Sequence, residues 1–158
     1  MRLRLVRGVL LMILCASVAA RNSTSGVQRT DVSHLIPAQI SYATPFVQRL
    51  NDLGLSVQKV ALSKYNGGFF GPTKAVWIKT DKGILEVVFF DKLADLDAIQ
   101  LKEEQSGDTN YHKYTITLAN KVQRMEGRLQ IYFTKYQDAL IITYEPEFNE
   151  ALKLLLSR

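Results

Sequence analysis

The sequence predicts an α+β domain: a curled antiparallel sheet of about six strands, with an N-terminal and a C-terminal helix packed on one face. Three observations predict it. Thr73 to Asp91 (TKAVWIKTDKGILEVVFFD) holds two β-rich runs joined by Thr80-Asp81-Lys82-Gly83. Tyr111 to Leu118 alternates as a strand does, and Phe148, Ala151, Leu152 and Leu155 form the apolar stripe of a helix opened by Pro146. The order of elements is helix, three strands, a short crossover, three strands, helix. No internal repeat interrupts it.

The 158 residues are enough for one domain with a real core. Residues 1–20 read as a signal peptide. Arg2, Arg4 and Arg7 form the charged start, Val9 to Val18 the apolar run, and Val18-Ala19-Ala20 a small-residue cleavage site before Arg21. That run is too short to span a membrane, and no later stretch approaches the roughly 20 apolar residues required. Cys15 follows Leu14 inside the apolar run, so it makes no lipobox. The expectation is an exported protein, periplasmic or extracellular, with no membrane span.

Removal of the segment changes the chemistry available. The formal charge of +5 falls to about +2 as three arginines leave, and no clustered basic stripe remains for nucleic acid. Cys15 also leaves. The mature chain then has no disulfide, no thiol nucleophile and no cysteine-ligated metal, and a bacterial export route fits this better than a disulfide-stapled animal module.

Residues 21–33 are polar and rich in Ser and Thr, a disordered lead-in, and 34–158 form a single α+β domain. Asn22-Ser23-Thr24 matches a glycosylation sequon beside the cleavage site. Thr44 as N-cap and Pro45 at the first helical position open a helix bearing Phe46, Val47, Leu50 and Leu53, which Gly54 ends. Leu55 to Tyr65 is a strand. The hairpin follows, with Gly83 in the φ > 0 position of a one-residue bulge. That register pairs Lys79 with Leu85, Trp77 with Val87 and Ala75 with Phe89. One face then carries Ala75, Trp77, Leu85, Val87 and Phe89. The other carries Val76, Ile78, Val88 and Phe90, interrupted by Lys74 and Glu86. Both faces are apolar, so something must cover both.

Beyond Asp91, Leu93 to Ile99 suits a short helical turn and Ile99 to Leu101 a strand. Glu103 to Asn110 is a polar turn, and Arg128 to Lys135 with Ala139 to Tyr144 form a second hairpin.

No catalytic residue or metal site is predicted, and no cofactor. His34 lies at the edge of the lead-in. His112 follows Glu103, Glu104 and Asp108, a conceivable acid–base or metal group that reads better as a solvated turn before an edge strand. Asp91, Asp95 and Asp97 lack the calcium-loop pattern. Walker, dinucleotide, nucleophile-elbow and HExxH motifs are missing. The loop Asn66 to Pro72 combines three glycines with Phe69 and Phe70, as a binding loop could, although plugging the sheet end is the plainer role. Tyr111, Tyr114, Tyr132, Phe133, Tyr136 and Tyr144, interleaved with Lys113, Lys121, Arg124, Arg128 and Lys135, read as strand residues and solvating bases.

Leu53-Gly54-Leu55-Ser56-Val57, Asn66 to Phe70, Ile78 to Gly83 with Glu86 to Phe90, Tyr111-His112-Lys113-Tyr114 and Tyr132-Phe133 together resemble a family of small exported bacterial proteins of unknown function. The resemblance implies a fold and supplies no activity. The functional expectation is an exported, non-catalytic binding or interaction domain. It would use the sheet face that helices leave bare, with Phe69, Phe70 and Trp77 as contacts, to meet an unknown protein. The alternative is a carrier of a small apolar ligand between the sheet and the C-terminal helix. A homodimer through the bare face would also satisfy the pattern.

Overall fold

The computed structural model describes residues 31–67, 74–105 and 111–157. Within them the chain runs α1 (Thr44–Asp52), β1 (Val57–Leu62), β2 (Lys74–Thr80), β3 (Ile84–Phe89), α2 (Leu93–Asp97), β4 (Gln100–Gln105), β5 (His112–Leu118), β6 (Lys121–Gly127), β7 (Tyr132–Tyr136), β8 (Ala139–Thr143) and α3 (Pro146–Leu156). The strands form two antiparallel sheets. One has five strands in the order β1-β2-β3-β8-β7, the other three in the order β4-β5-β6. The α+β class therefore holds, but the single curled sheet of about six strands is replaced by two sheets, neither of them curled.

Both helices pack on one face of the larger sheet, as the sequence predicts. Phe46, Val47 and Leu50 of α1 and Phe148, Leu152 and Leu156 of α3 share one core with Val60, Val76, Ile78, Leu85, Val87, Ala139 and Ile141. Val32, within the segment read as a lead-in, is also buried there. The opposite face is covered by the smaller sheet. Ala75, Val88, Phe90, Leu140 and Ile142 of the larger sheet and its flank meet Leu96, Ile99 and Ile116, with Leu118 and Met125 packed at the margin. A strand apolar on both sides must be sandwiched, and β8, buried at every position, shows the pattern most fully. The face expected to be bare thus has a cover made from this chain's own β4–β6 meander.

Local sequence explains the ends of α1. A six-residue 3₁₀ segment, Ala38–Ala43, runs directly into it, so Thr44 is already helical rather than the N-cap. Gly54 at φ 87° ends it, with Gly54 N–H donating to Asn51 O and Leu55 N–H to Leu50 O, the paired bonds of a Schellman motif.

The hairpin register differs from expectation by one residue. Lys79 pairs with Ile84, Ile78 with Leu85, Trp77 with Glu86 and Val76 with Val87. Val76, Ile78, Leu85 and Val87 therefore face the helices, and Ala75, Trp77, Glu86 and Val88 face the smaller sheet. No bulge is needed, because Thr80 closes the turn itself. Its Oγ1 accepts from the N–H groups of Lys82 and Gly83 while its own N–H donates to Gly83 O. Asp81 locks the turn to the start of β1: its N–H donates to Ser56 O, and its Oδ1 accepts from Ser56 N–H. Gly83 does not adopt positive φ. It is required by close approach, since an added Cβ would lie 2.6 Å from the Phe148 ring.

Strand β6 is the element the sequence hid. Its entry turn uses Ala119 at φ 53°, where glycine or asparagine would have signalled a hairpin, and Val122, Arg124 and Glu126 are exposed.

The Gly83 contact gives a direct test. Gly83→Ala should lower stability by about 1–3 kcal/mol, the usual cost of forcing a methyl into a filled site. In chemical denaturation the midpoint falls while the slope is unchanged. Adding Phe148→Leu should recover part of the loss relative to Phe148→Leu alone. A Gly83→Ala protein as stable as the parent would overturn the close-approach account.

Candidate functional site

Glu86 is the one acidic side chain buried among the described residues, 4% exposed, on a central strand facing the smaller sheet. A carboxylate there must be satisfied by donors. Ser63 Oγ donates to Oε2 and Tyr144 Oη donates to Oε1 at 2.8 Å, while Lys64 Nζ stands 4.0 Å from Oε1. Each donor comes from a strand end. Ser63 directly follows β1, with its N–H bonded to Ala75 O, and Tyr144 directly follows β8.

The chain after β1 turns tightly to present these groups. Asn66 N–H donates to Ser63 O, Tyr65 N–H donates to Ser63 Oγ, and Asn66 Oδ1 accepts from Ala75 N–H. Lys64 Nζ lies 5.0 Å from the centre of the Tyr65 ring, so it is held by a ring face as well as a carboxylate. Burial, then the hydrogen bond to Glu86, then that group's negative charge, push the Tyr144 hydroxyl well above the ordinary tyrosine range. It remains a protonated donor. Among the described residues no buried polar side-chain atom lacks a partner.

Outside this polar cluster lies an open cleft of about 530 Å³. Its walls are Lys64, Tyr65, Tyr144 and Ile131 on one side and the continuous run Gln123 to Leu129 on the other. The volume falls within the range of small-ligand clefts. Lys64, Arg124 and Arg128 supply positive charge against the exposed acid Glu126 and the internally bonded Glu86. No ion pair joins Arg124 or Arg128 to a carboxylate among the described residues. The cleft therefore suits a negatively charged group with apolar or aromatic surface against the two tyrosines and Leu129.

Two other depressions are less well placed. One of about 320 Å³ lies between β4–β5 and β7, where Tyr114 Oη accepts from Ile131 N–H at 2.9 Å. One of about 390 Å³ borders Tyr42, Phe46, Arg49 and Phe89 beside α1.

Of the residues singled out in the sequence, Phe69 and Phe70 lie outside the described residues. Trp77 is half-buried on β2 with its Cα opposite that of Glu86, so it neighbours the polar cluster along the sheet. His112 pairs through Nδ1 with Glu103 Oε1 at 3.1 Å, while Glu104 accepts from Thr115; Asp108 is outside the described residues. His34 is exposed in a short 3₁₀ turn. No group of three or more metal-ligating side chains occurs among the described residues. No helix among them is long and apolar enough to cross a membrane.

The cluster of Ser63, Lys64, Tyr65, Glu86 and Tyr144 was missed as a unit. One signal existed: Glu86 interrupts an otherwise apolar strand run, which marks a buried acid needing donors.

Tyr144→Phe removes one of Glu86's two hydroxyl donors and should cost about 1–3 kcal/mol at neutral pH. The pH profile checks the electrostatics. Because the hydroxyl's pKa is raised in the fold above its usual 10.0, its contribution is present below pH 10 and fades as pH rises above it. Tyr42 and Tyr114, also raised by burial, act with the same sign. The parent should therefore lose stability above pH 10 more steeply than Tyr144→Phe. Equal slopes would refute the Tyr144 contribution.

No family model matches the chain, and no curated protein and no solved structure matches it either.

Proposed function

We propose that this chain is an exported, non-catalytic binding domain whose contact surface is the cleft beside Glu86, and that its ligand carries negative charge together with apolar or aromatic surface. The observation that carries the reading is the cleft's composition: Lys64, Arg124 and Arg128 around Tyr65, Tyr144 and Leu129, with Glu126 as the exposed acid. Oppositely charged rims raise association rates and fix orientation, and tyrosines supply rigid amphipathic contact. The polar cluster supports binding over catalysis because its hydrogen bonds hold strand ends together. Ser63 donates to Glu86 and accepts from Tyr65 N–H, and no histidine lines the cleft.

Export rests on the three N-terminal arginines, the apolar run and the small residues ahead of Arg21. The expected contacts move accordingly. With the larger sheet's second face covered, the interaction surface proposed is the margin between the two sheets, on the side of the Trp77–Glu86 pair and away from the helices. The space between the sheet and α3, where a carrier would hold its apolar ligand, contains Phe148 and Leu152, both buried against the sheet. That favours the outer cleft.

Anilinonaphthalene sulfonate, an aromatic anion whose fluorescence rises on binding, is the probe. The folded protein should bind it saturably, and Arg124→Glu with Arg128→Glu should weaken binding by about tenfold, as expected for two exposed charge contacts. Both side chains are exposed, so the denaturation midpoint should change little. No binding to the native protein, or binding indifferent to the charge reversal, would reject the reading.

A further inference from the structure

The cleft is lined by consecutive residues, Gln123 through Leu129. Successive side chains of a strand point to opposite faces, so what the β6 portion of this run shares toward the cleft is its backbone edge. The other edge of β6 is fully paired, with seven residues from Lys121 to Gly127 in unbroken register against β5. Among the described residues β6 ends the smaller sheet with no strand beyond it, and its residues from Gln123 onward line the cleft.

Among the described residues three further strands end a sheet, and each is less suited to receive another strand. The register of β1 is broken between Val57 and Lys59. The outer strand β7 is tied to the segment leading into β4, where Lys135 Nζ donates to the carbonyls of Asp97 at the end of α2 and of Ile99 just before β4. Beside β6 stand Lys64 and Tyr65, and two exposed apolar side chains flank it, Val122 (56% exposed) near its start and Leu129 (67%) two residues past its end.

Building on the cleft reading, we propose that the ligand is an extended acidic peptide segment of a protein partner, which adds to β6 as a fourth strand of the smaller sheet. Main-chain hydrogen bonds to the β6 edge give such a complex its affinity, and side-chain pairing gives it selectivity. Charge decides between occupants. A second copy of this chain pairing β6 antiparallel with β6 about Arg124 would set that arginine against its own copy, with Arg128 adding like charge beyond each strand end, and like charges across a strand pair are unfavourable. A segment alternating acidic with β-branched residues sets its carboxylates on the exposed face of β6, beside Arg124 and Arg128, and its apolar side chains on the opposite face, beside Met125.

The probe is a synthetic nonapeptide alternating glutamate with valine and threonine, tested on the full mature chain by amide exchange and titration. The peptide should bind saturably and slow the exchange of β6 amides between residues 121 and 127. Two further versions carry N-methyl groups on alternate residues, one along each edge of the peptide. One of them should bind at least about tenfold more weakly, and the other as the parent does, because only one edge pairs with β6. Equal binding of both methylated peptides would overturn strand addition while leaving the anionic cleft intact. Binding of the sulfonate probe without binding of the peptide would do the same. Concentration-dependent protection of β6 in the absence of peptide would assign the edge to a second copy instead, and overturn the proposal.

Discussion

The structure depends on one constraint: the central strands of the larger sheet are apolar on both sides. Val87, Ile141 and their neighbours need the helices, and Val88, Leu140 and Ile142 need a second cover of comparable width. At roughly 25 cal/mol per Å² of apolar surface removed from water, neither face can be left open in a chain of this size. The chain meets the second requirement by inserting the β4–β6 meander between β3 and β8, which pair with each other in the larger sheet. The three-layer arrangement of helices, five-stranded sheet and three-stranded sheet follows from that need.

Glu86 is the exception within this seam, and the exception places the cleft. A buried carboxylate cannot be closed over by aliphatic side chains, so the seam there is built from Ser63, Tyr65 and Tyr144, with Lys64 turned toward solvent. Polar and aromatic residues pack less continuously than the aliphatic layer around Ile116 and Leu140, and the two sheets part at this margin. Tyr144 and Lys64, which meet the acid, line the opening together with Tyr65. The other wall is an edge strand whose backbone is available because nothing in the described chain pairs beyond it.

Much of the fold was legible. The Thr80–Gly83 turn, the helix stripe of Phe148, Leu152 and Leu155, the Gly54 stop and the requirement for two-sided cover all come from local pattern and chemistry. The register of the hairpin did not, because Gly83 suggests a positive φ, whereas its role is to admit the Phe148 ring from an element more than sixty residues away. The division into two sheets was hidden for a related reason. Strand β6 is polar, and its entry turn carries Ala119 rather than glycine, so nothing local announces it. The site was less legible than the fold. Ser63, Glu86 and Tyr144 are distant in sequence and meet only through strand order, although the lone acid within Ile84 to Phe90 marked where donors had to converge.

The insertion of the meander between two paired strands has a kinetic consequence. Strands β1, β2 and β3 follow one another and close by short connections, as do β4, β5 and β6, whereas β3 finds β8 only after about fifty intervening residues have been accommodated. A chain emerging from its N-terminus therefore carries two half-built sheets, each with unsatisfied apolar surface, until β8 and α3 arrive. Strand β8 and α3 together supply the missing partner to both layers at once. Completion of the core is thereby concentrated in β8 and α3, and a truncation before them leaves a species whose sticky surfaces face in two directions, a substrate for chaperones and proteases rather than a smaller folded protein.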